Sequence, residues 1–277
     1  MGKVILITGA SSGIGKDTAL NLIKEGHIVY GAARRISKMK DIVEAGGHSI
    51  KMDILSNEDI DRAVDQVISE QNRIDVLVNN AGYGLWGAVE TISIDEAKRQ
   101  FDVNIFGLAY LTKKVIPLMR NQKSGKIINM SSMGGKVYTP FGAWYHATKY
   151  ALEGWSDCLR IELKDFGIDV ILIEPGVIRT EFQNVMIGST VKRSVGTPYE
   201  KKIRALEKAT DEMYARGLGS PPSVITKLIS KAIDSQKPKR RYVGGLFAKP
   251  MLFIKKWFGD KMYEKAIMSQ IKKATKE

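Results

Sequence analysis

The chain is poor in the residues that would build disulfides or a membrane-spanning segment. Its 277 residues contain a single cysteine, Cys158, so no internal disulfide can form, and we expect this residue to be inert in a helix. The longest apolar runs, such as VILI at 4–7, are far too short to cross a bilayer. The N-terminus carries no signal-peptide pattern. These absences favour a cytoplasmic protein, and the sequence predicts no metal site.

Acidic residues are scarce at the C-terminal end, where the positive charge of the chain is concentrated. The formal net charge is +13, and residues 236–277 contribute twelve Lys/Arg against three Asp/Glu. A basic segment of this kind can attract nucleic acid or an anionic membrane. The main body carries no basic stripe and no recognised nucleic-acid module, so nucleic acid is not an expected partner.

Strand-like and helix-like segments alternate along the first 175 residues. Strand-like runs rich in Val and Ile lie at 3–8, 27–34, 49–53, 74–82, 125–132 and 168–176, with long helical patterns at 104–120 and 143–166. Such alternation predicts an α/β fold, a doubly wound parallel sheet of about seven strands with helices on both faces. Further along we expect a loop at 177–197, helices at 198–216 and 221–235, and a last strand at RRYVGG.

No internal repeat or low-complexity linker divides the chain. We therefore predict one domain over residues 1–245 and a basic amphipathic helical extension of the same domain over 246–277. The extension mixes Phe, Trp, Met and Ile with lysines. It could lie on an anionic membrane surface, cover the mouth of a pocket, or pack at a subunit contact. Segment 177–220 is expected to form a mobile lid.

A glycine-rich turn, TGASSGIG at 8–15, follows the first strand and opens a helix. Glycine lets the backbone approach a phosphate closely, and the N–H groups of a helix N-terminus favour an anion. Many tight turns look similar, but the strand–turn–helix context favours dinucleotide binding. The spacing G-x-x-x-G-x-G differs from G-x-G-x-x-G and indicates a different dinucleotide-binding family.

No carboxylate stands at the end of the second strand, where one would bind the adenosine ribose hydroxyls of NAD. The chain reads Ala32, Ala33, Arg34, Arg35 there. Because a guanidinium is well shaped for a 2′-phosphate, we predict NADP(H), with NADPH preferred over NADH and Arg34 as the main contact. The alternative is a pair of solvated arginines after a strand.

Two tyrosine–lysine pairs have the spacing of neighbours on one helix face. Tyr110–Lys114 lies inside a continuous helical pattern, which indicates a packing helix with a solvated lysine. Tyr145–Lys149 begins a helix beyond a loop that follows the strand ending at Ser132. Since doubly wound sheets bind ligands at the carboxyl ends of their strands, the second pair is the candidate for acid–base chemistry.

Several motifs occur together in the order and rough spacing of one family. They are TGASSGIG, NNAG at 79–82, Asn104 in DVNIFG, Ser132, YHATK at 145–149 and PGVIRT at 175–180. Over residues 3 to about 245 the chain resembles the single-domain branch of the short-chain dehydrogenase/reductase family. Its longer runs NNAGYGLWGAVE and SGKIINMSSMGGKV, with the extended C-terminus, are similar to the 17β-hydroxysteroid and retinol dehydrogenase-like subgroup.

The resemblance implies a Rossmann-type fold and hydride transfer between nicotinamide C4 and a carbonyl or alcohol carbon. Tyr145 would be the acid or base, Lys149 would favour its phenolate and bind the nicotinamide ribose, and Ser132 would donate to the substrate oxygen. Asn104 would hold a water in a proton relay. The cofactor would contact Tyr145, Lys149 and a set of loop residues: Gly9, Ser11, Ser12, Gly13, Ile14, Gly15, Arg34, Arg35, Asp53, Ile54, Asn80, Ala81, Gly82, Pro175, Gly176, Val177, Ile178 and Thr180.

Apolar and aromatic residues in loops at the same end of the sheet are the candidate pocket walls. They indicate a hydrophobic carbonyl or alcohol substrate, such as a steroid, retinoid, acyl chain or aryl ketone, although several could simply pack under the loops. The set is Leu85, Trp86, Met133, Val137, Tyr138, Phe141, Phe182 and Met186.

The function predicted from these residues is an NADP(H)-dependent oxidoreductase that interconverts a carbonyl and an alcohol. The alternative is a non-catalytic NADP-sensing or scaffold protein on the same fold, although such proteins typically lack part of the Tyr–Lys–Ser set that is complete here. The two long helices resemble the family's dimer-forming pair, so a homodimer or homotetramer is expected.

Overall fold

A parallel β-sheet forms the centre of the molecule. The computed structural model describes the backbone of residues 2–276 and the side chains of 2–182 and 186–269; Met1 and Glu277, the ends of the two predicted ranges, lie outside the described residues. Within that part of the chain the sheet has seven strands in the order β3-β2-β1-β4-β5-β6-β7, and every neighbouring pair is parallel. The strands are β1 (Val4–Thr8), β2 (Ile28–Ala33), β3 (His48–Lys51), β4 (Val76–Asn79), β5 (Gly125–Met130), β6 (Ile168–Pro175) and β7 (Arg241–Gly244). The predicted α/β class and the number of strands are confirmed.

Helices connect the strands and follow the last of them. They are α1 (Gly13–Lys24), α2 (Lys40–Glu44), α3 (Asn57–Gln71), α4 (Ile94–Phe101), α5 (Leu108–Asn121), α6 (Ala143–Glu162), α7 (Glu181–Ser194), α8 (Glu200–Ala215), α9 (Ser223–Asp234) and α10 (Ala248–Lys276). A π-helical turn, Asp102–Gly107, joins α4 to α5.

Both faces of the sheet are buried, because alternate residues of each strand point to opposite sides. On β1, Leu6 belongs to a buried cluster with Leu111 of α5, whereas Ile7 belongs to a second cluster with Leu22 of α1. All five residues of β1 are buried. Burial on both faces of the sheet is therefore the physical reason for the continuous run of β-branched and aliphatic residues from which this strand was predicted.

The strand order reverses direction between β1 and β4, which are hydrogen-bonded neighbours in the sheet. The chain leaves β1 towards β2 on one side and leaves β4 towards β5 on the other. The loops that follow these two strands therefore separate and leave a crevice at the carboxyl edge. This crevice is where the predicted cofactor residues meet.

The prediction of a loop at 177–197 is wrong, because the structure has α7 at Glu181–Ser194. Thr180 precedes the helix in an extended conformation, Glu181 lies in its first turn, and Lys192 and Arg193 lie in its last turn. These charges complement the helix dipole. The pattern failed to predict the helix because its apolar residues do not form a single stripe.

The C-terminal helix α10 packs back onto the body of the protein. Met251 and Tyr263 form a buried cluster with Val137, and the Tyr263 hydroxyl donates to the carbonyl of Tyr138 at 2.6 Å. The helix is kinked at Gly259, whose φ of 72° and ψ of −171° lie outside the helical region.

Candidate active site

A cavity of about 960 Å³ opens at the carboxyl edge of the sheet. One arm runs along the glycine-rich turn and the ends of β2, β3 and β4. The other arm is apolar and lies between α7, α8 and α10. The predicted residues in its wall are Gly9, Ser11, Ser12, Gly13, Ile14, Arg34, Arg35, Asp53, Ile54, Asn80, Ala81, Gly82, Trp86, Ser132, Met133, Val137, Phe141, Tyr145, Lys149, Pro175, Gly176, Val177, Ile178, Thr180, Phe182 and Met186.

The N-terminus of α1 is built to receive an anion in the first arm. The side chain of Ser12 at the helix start makes no capping hydrogen bond, and the first turn contains no acidic residue. Gly9 and Gly13 adopt φ values of +69° and +55°, which most other residues adopt only with strain. The turn therefore presents backbone N–H groups to the cavity with no side chain competing for them.

Gly15 is the predicted cofactor residue that does not reach the cavity wall. A Cβ there would stand 2.5 Å from the carbonyl oxygen of Gly9 and closer still to the amide nitrogen of Asn80. That Asn80 amide donates to the carbonyl of Thr8 at 2.9 Å and of Gly9 at 3.3 Å. Gly15 thus allows α1 to approach the joined loops after β1 and β4, which fixes the shape of the turn.

The two arginines after β2 are placed differently. Both line the cavity, and Arg35 directs its guanidinium at the hydroxyls of Ser11 and Ser12, each 3.4 Å away. Arg35 also lies 3.6 Å from Glu181. The polar contacts of the described residues therefore bring Arg35 to the glycine-rich turn, whereas the sequence pointed to Arg34 as the main phosphate contact.

Tyr145 stands in the cavity wall inside a group of aromatic rings. Its ring centroid lies 4.5 Å from that of Trp86 and 5.9 Å from that of Phe182. Burial raises the pKa of Tyr145 to about 12, and a hydrogen bond with Ser132 acts in the opposite direction. The tyrosine is therefore a neutral phenol at physiological pH.

Lys149 lies one helical turn beyond Tyr145 on the same face of α6. Its Nζ donates to the carbonyl of Met130 at 2.7 Å and stands 5.8 Å from the centroid of the Tyr145 ring. Burial lowers the pKa of Lys149 to about 8, and the charge of Glu153 acts to raise it. The ammonium form therefore still predominates at neutral pH.

Ser132 follows directly on the end of β5 and faces the cavity beside Tyr145. Its Oγ accepts from the backbone N–H of Gly134 at 3.0 Å and lies 3.5 Å from the carbonyl of Pro175. The first contact fixes the oxygen, and the second is too long to hold the proton strongly. The hydroxyl can therefore donate to an oxygen bound in the cavity.

Asn104 lies behind the cavity wall, within the π-helical turn. Its Nδ2 donates to the carbonyl of Tyr83 at 3.0 Å and to the hydroxyl of Thr148 at 3.1 Å, while its Oδ1 accepts from the N–H of Tyr83 at 3.1 Å. These contacts tie the loop after β4 to α6. The predicted role of Asn104 in holding a relay water stays a prediction.

Tyr110 and Lys114, the second pair with the same spacing, lie outside the cavity. Both bind Asp61 of α3, with the phenol oxygen 3.2 Å and the ammonium 2.9 Å from the carboxylate. The pair joins α5 to α3 at the surface. The spacing alone therefore does not bring a tyrosine–lysine pair to the cavity. Tyr145 and Lys149 reach it because a strand end and its loop precede them, as the sequence order indicated.

Two predicted wall residues turn away from the cavity. Leu85 is buried in a small cluster with Ile92 and Ala97. Tyr138 faces α10, where its hydroxyl donates to Asp260 and Glu264. Neither residue spacing nor composition predicts which way a loop side chain points. The packing partners of Leu85 and Tyr138 determine their orientation.

His146 is a part of the site that the sequence did not single out. The backbone N–H of Thr139 donates to its Nε2 at 3.0 Å, so Nδ1 carries the proton and donates to the carbonyl of Gly134 at 2.9 Å. Burial lowers its pKa, which keeps the ring neutral. The side chain braces the loop between Ser132 and Tyr145.

The apolar arm also contains many residues that the sequence did not assign to it. They come from α7, α8 and α10, with Phe247 just before α10. Amphipathic patterns could have pointed to the residues of α8 and α10, whereas α7 has no single apolar stripe. The set is Ile187, Thr190, Val191, Ile203, Leu206, Glu207, Ala209, Thr210, Met213, Phe247, Met251, Tyr263 and Ile267.

A group of charges around two buried carboxylates, Glu153 and Glu174, lies behind Lys149. The Arg241 guanidinium from β7 stands 2.9 Å from Glu153, 2.7 Å from Asp157 and 3.1 Å from Glu174, and Lys136 lies 3.2 Å from Glu153. Burial, followed by the charge of Glu153, raises the pKa of Glu174 to about 7. The Glu174 carboxyl therefore keeps its proton to a higher pH than a free carboxyl does.

Comparison with known proteins now identifies the class. Residues 3–187 match the short chain dehydrogenase family, and the chain belongs to that family of oxidoreductases. The predicted likeness to the 17β-hydroxysteroid and retinol dehydrogenase-like subgroup stays a prediction.

Individual relatives cover almost the whole chain. A 3-ketodihydrosphingosine reductase of Bacteroides thetaiotaomicron is 36% identical over 273 residues, 96% of each chain. An NADPH-dependent 3-dehydrocapnine reductase of Ornithobacterium rhinotracheale is 32% identical over 291 aligned positions, 99% of each chain. The crystal structure of a short-chain dehydrogenase from Streptomyces avermitilis superposes with a TM-score of 0.78 at 32% identity, covering 100% of this chain and 98% of that one.

Proposed function

We propose that this protein is an NADPH-dependent reductase of a ketone carried by a largely apolar molecule. The observation that carries the proposal is the position of the Tyr145 phenol. It shares the cavity wall with Ser132 and Lys149, where the glycine-rich arm of the cavity meets its apolar arm. A carbonyl that accepts a hydride becomes an alkoxide and needs a proton donor. A neutral phenol at this position can supply that proton.

The first arm has the shape and charge that a dinucleotide needs. Its glycines let the backbone of the turn come close to a ligand, the N-terminus of α1 offers N–H groups, and Arg35 adds positive charge beside Ser11 and Ser12. When bound, the nicotinamide supplies the hydride. Arg34 and Arg35 would hold the 2′-phosphate, and Asp53 and Ile54 would meet the adenine.

The side chains around Tyr145 would share the proton chemistry. Ser132 would donate a hydrogen bond to the carbonyl oxygen, where negative charge develops. Tyr145 would then transfer its proton, and the ammonium of Lys149 would stabilise the phenolate left behind. Lys149 would also hold the nicotinamide ribose. Trp86 and Phe182 would exclude water from the reacting groups.

The apolar arm favours a substrate with a long or bulky hydrocarbon part. Met186, Leu206, Met213 and Met251 are among the side chains that line it. Two relatives are named as reductases of a 3-keto and a 3-dehydro compound, and one of those names specifies NADPH. Both names support the reductive direction, and 3-ketodihydrosphingosine belongs in any substrate panel beside steroid, retinoid, acyl and aryl ketones.

The experiment that tests the function follows NADPH consumption with this panel, using wild type and Tyr145→Phe. We expect turnover by the wild type, at least ~100-fold loss in the variant, and unchanged NADPH affinity. Near-normal turnover in Tyr145→Phe would contradict the role of the phenol. Tight NADPH binding with no turnover on any ketone would favour the sensor or scaffold alternative.

The cofactor choice has its own test in the two arginines. Arg35→Ala and Arg34→Ala should each raise the KM for NADPH, by about tenfold for a lost charge-assisted contact, and leave the KM for NADH unchanged. The variant with the larger effect identifies the main phosphate contact. An equal increase in KM for NADPH and for NADH would contradict the proposal that these arginines bind the 2′-phosphate.

We also propose that the protein acts in the cytoplasm as a homodimer or homotetramer, with 246–277 as an extension of the main domain. The two helices expected at the contact expose large apolar side chains, with Phe106 in the π-helical turn and Ile161 on α6 at 61% and 68%. Light scattering of Phe106→Asp and Ile161→Asp against wild type measures the subunit number. An unchanged oligomer in both variants would place the contact elsewhere.

A further inference from the structure

The outward face of the first half of α10 carries a compact group of exposed aromatic rings. Phe253, Trp257 and Phe258 are 57%, 66% and 57% exposed, and we call these three residues the aromatic ridge. The Phe253 ring centroid lies 6.4 Å from that of Trp257 and 6.1 Å from that of Phe258. Rings that touch one another while facing water form a patch, and such patches mark interaction sites more often than single exposed side chains do.

Four exposed lysines flank the ridge along α10, two before the kink at Gly259 and two after it. Lys249, Lys256, Lys261 and Lys265 are exposed, and the Lys256 ammonium stands 5.3 Å from the Trp257 ring. These four residues with the aromatic ridge are called the outer face of α10.

The two acidic residues of the described part of this helix, Asp260 and Glu264, already have partners on the protein. Their carboxylates accept from the Tyr138 hydroxyl at 3.0 and 2.9 Å, and Asp260 also pairs with Lys255. Both residues remain exposed. The outer face of α10 therefore combines apolar rings with four lysines, and the two nearby carboxylates are engaged by Tyr138 and Lys255.

We propose that the outer face of α10 binds the surface of a bilayer that contains anionic lipids, with the helix lying in the plane of the interface. Aromatic side chains enter the boundary between headgroups and acyl chains, and lysines stay with the anionic headgroups. Among the described residues no helix is long and apolar enough to cross a membrane, which agrees with attachment to one leaflet. This inference does not depend on the proposed function.

A second copy of the chain fits the outer face less well than a lipid surface does. A two-fold contact through this face would bring the lysines of both copies into one interface, and facing like charges oppose association. An anionic bilayer offers the complementary charge over the whole area of the helix. The charge pattern therefore selects the lipid surface as the occupant.

The inner face of the same helix limits how the proposal can be tested. Met251, Tyr263 and Ile267 line the cavity, so deletion of the helix would open the substrate site as well as remove the outer face. The test therefore uses the full-length chain with outward-facing substitutions only.

The experiment measures binding to vesicles of phosphatidylcholine alone and of phosphatidylcholine with phosphatidylserine. Trp257 is an intrinsic reporter, because it is the one exposed tryptophan among the four, whose side chains the structure all describes. We expect the anionic vesicles to pellet the wild type and shift tryptophan emission to shorter wavelength, with weaker binding at high salt. Phosphatidylcholine alone should do much less.

Two sets of variants separate the apolar and the charged contributions. Phe253→Ser combined with Phe258→Ser keeps the reporter and should weaken binding about tenfold or more. Lys256→Gln, Lys261→Gln and Lys265→Gln should each weaken it about fivefold on anionic vesicles. The matched control is Ile94→Ser at the start of α4, because Ile94 is 59% exposed and its loss should leave binding unchanged. Thermal unfolding and NADPH binding confirm that each variant is folded.

Several outcomes would overturn the proposal. The first is that the wild type pellets equally with and without phosphatidylserine in the vesicles. The second is that Ile94→Ser weakens binding as much as the aromatic variant does. The third is that the wild type does not bind vesicles and the aromatic variant loses a dimer. The last result would assign the outer face of α10 to a second copy. Vesicle binding that persists when ketone turnover is absent would still support the inference.

Discussion

Replacing Glu174 with glutamine should change how the stability of the protein depends on pH. Glu174 is 2% exposed at the end of β6, beside Arg241 and Glu153. Its pKa is raised from 4.5 to about 7, with burial as the largest cause and the charge of Glu153 as the second. Glu174→Gln keeps the shape of the side chain and removes the titration.

The sign follows from proton binding in the two states. Between pH 4.5 and about 7 the folded protein keeps a proton on Glu174 that the unfolded chain has released, so this group makes the wild type less stable as pH rises. One pKa unit corresponds to about 1.4 kcal/mol, so the whole interval corresponds to about 3 kcal/mol. The stability of Glu174→Gln relative to wild type should therefore increase by up to about 3 kcal/mol between about pH 4.5 and about pH 8.

Urea unfolding of both proteins across this pH range measures the difference directly. The exposed Glu162→Gln on α6 is the control, and its difference from wild type should stay within about 0.5 kcal/mol at every pH. A Glu174→Gln difference that stays constant across the range would refute the raised pKa of Glu174, because a carboxylate that Arg241 keeps charged throughout would not titrate there.

Three further changes test other contacts of the site. Glu153→Gln removes the carboxylate that raises the pKa of Lys149, so the alkaline fall of kcat/KM should begin at lower pH while kcat near pH 6.5 changes little; an unchanged profile would mean that Glu153 does not act on Lys149. Gly15→Ala places a Cβ 2.5 Å from the Gly9 carbonyl, and calorimetry should show NADPH binding weakened by about tenfold or more with ketone KM unchanged; normal NADPH affinity would contradict the close approach. Tyr263→Phe leaves the Tyr138 carbonyl without its donor and should cost about 1 kcal/mol of stability and raise the ketone KM but not the NADPH KM; equal changes in both KM values would place its effect outside the apolar arm.

The sequence could predict the sheet because the requirements of a doubly covered strand are local. Each strand had to be apolar on both sides and had to be followed by a helical pattern, as VILI before the glycine-rich turn illustrates. The Tyr145–Lys149 pair could also be chosen over Tyr110–Lys114, because strand ends of a parallel sheet meet at one edge. Its functional role rests on the experiments above.

Features that depend on tertiary contacts could not be predicted. Arg35 approaches the glycine-rich turn because the chain turns sharply into the 3₁₀ segment Ile36–Met39, and neighbouring arginines look alike before that turn is known. Leu85 and Tyr138 leave the cavity because Ile92, Ala97 and the C-terminal helix offer them other partners. Helix α7 has suitable end charges, and its long-range contact from Arg193 to Glu96 at 2.6 Å has no local signature.

The packing of α10 over the apolar arm has a consequence for shortened versions of this sequence. The sheet and the glycine-rich turn lie within residues 4–244, whereas one wall of the apolar arm comes from α10. Val137 loses its partners Met251 and Tyr263 in any product that stops near residue 245. Such a product would expose an apolar groove to its neighbours, which makes early termination a route to aggregation rather than to a smaller working enzyme.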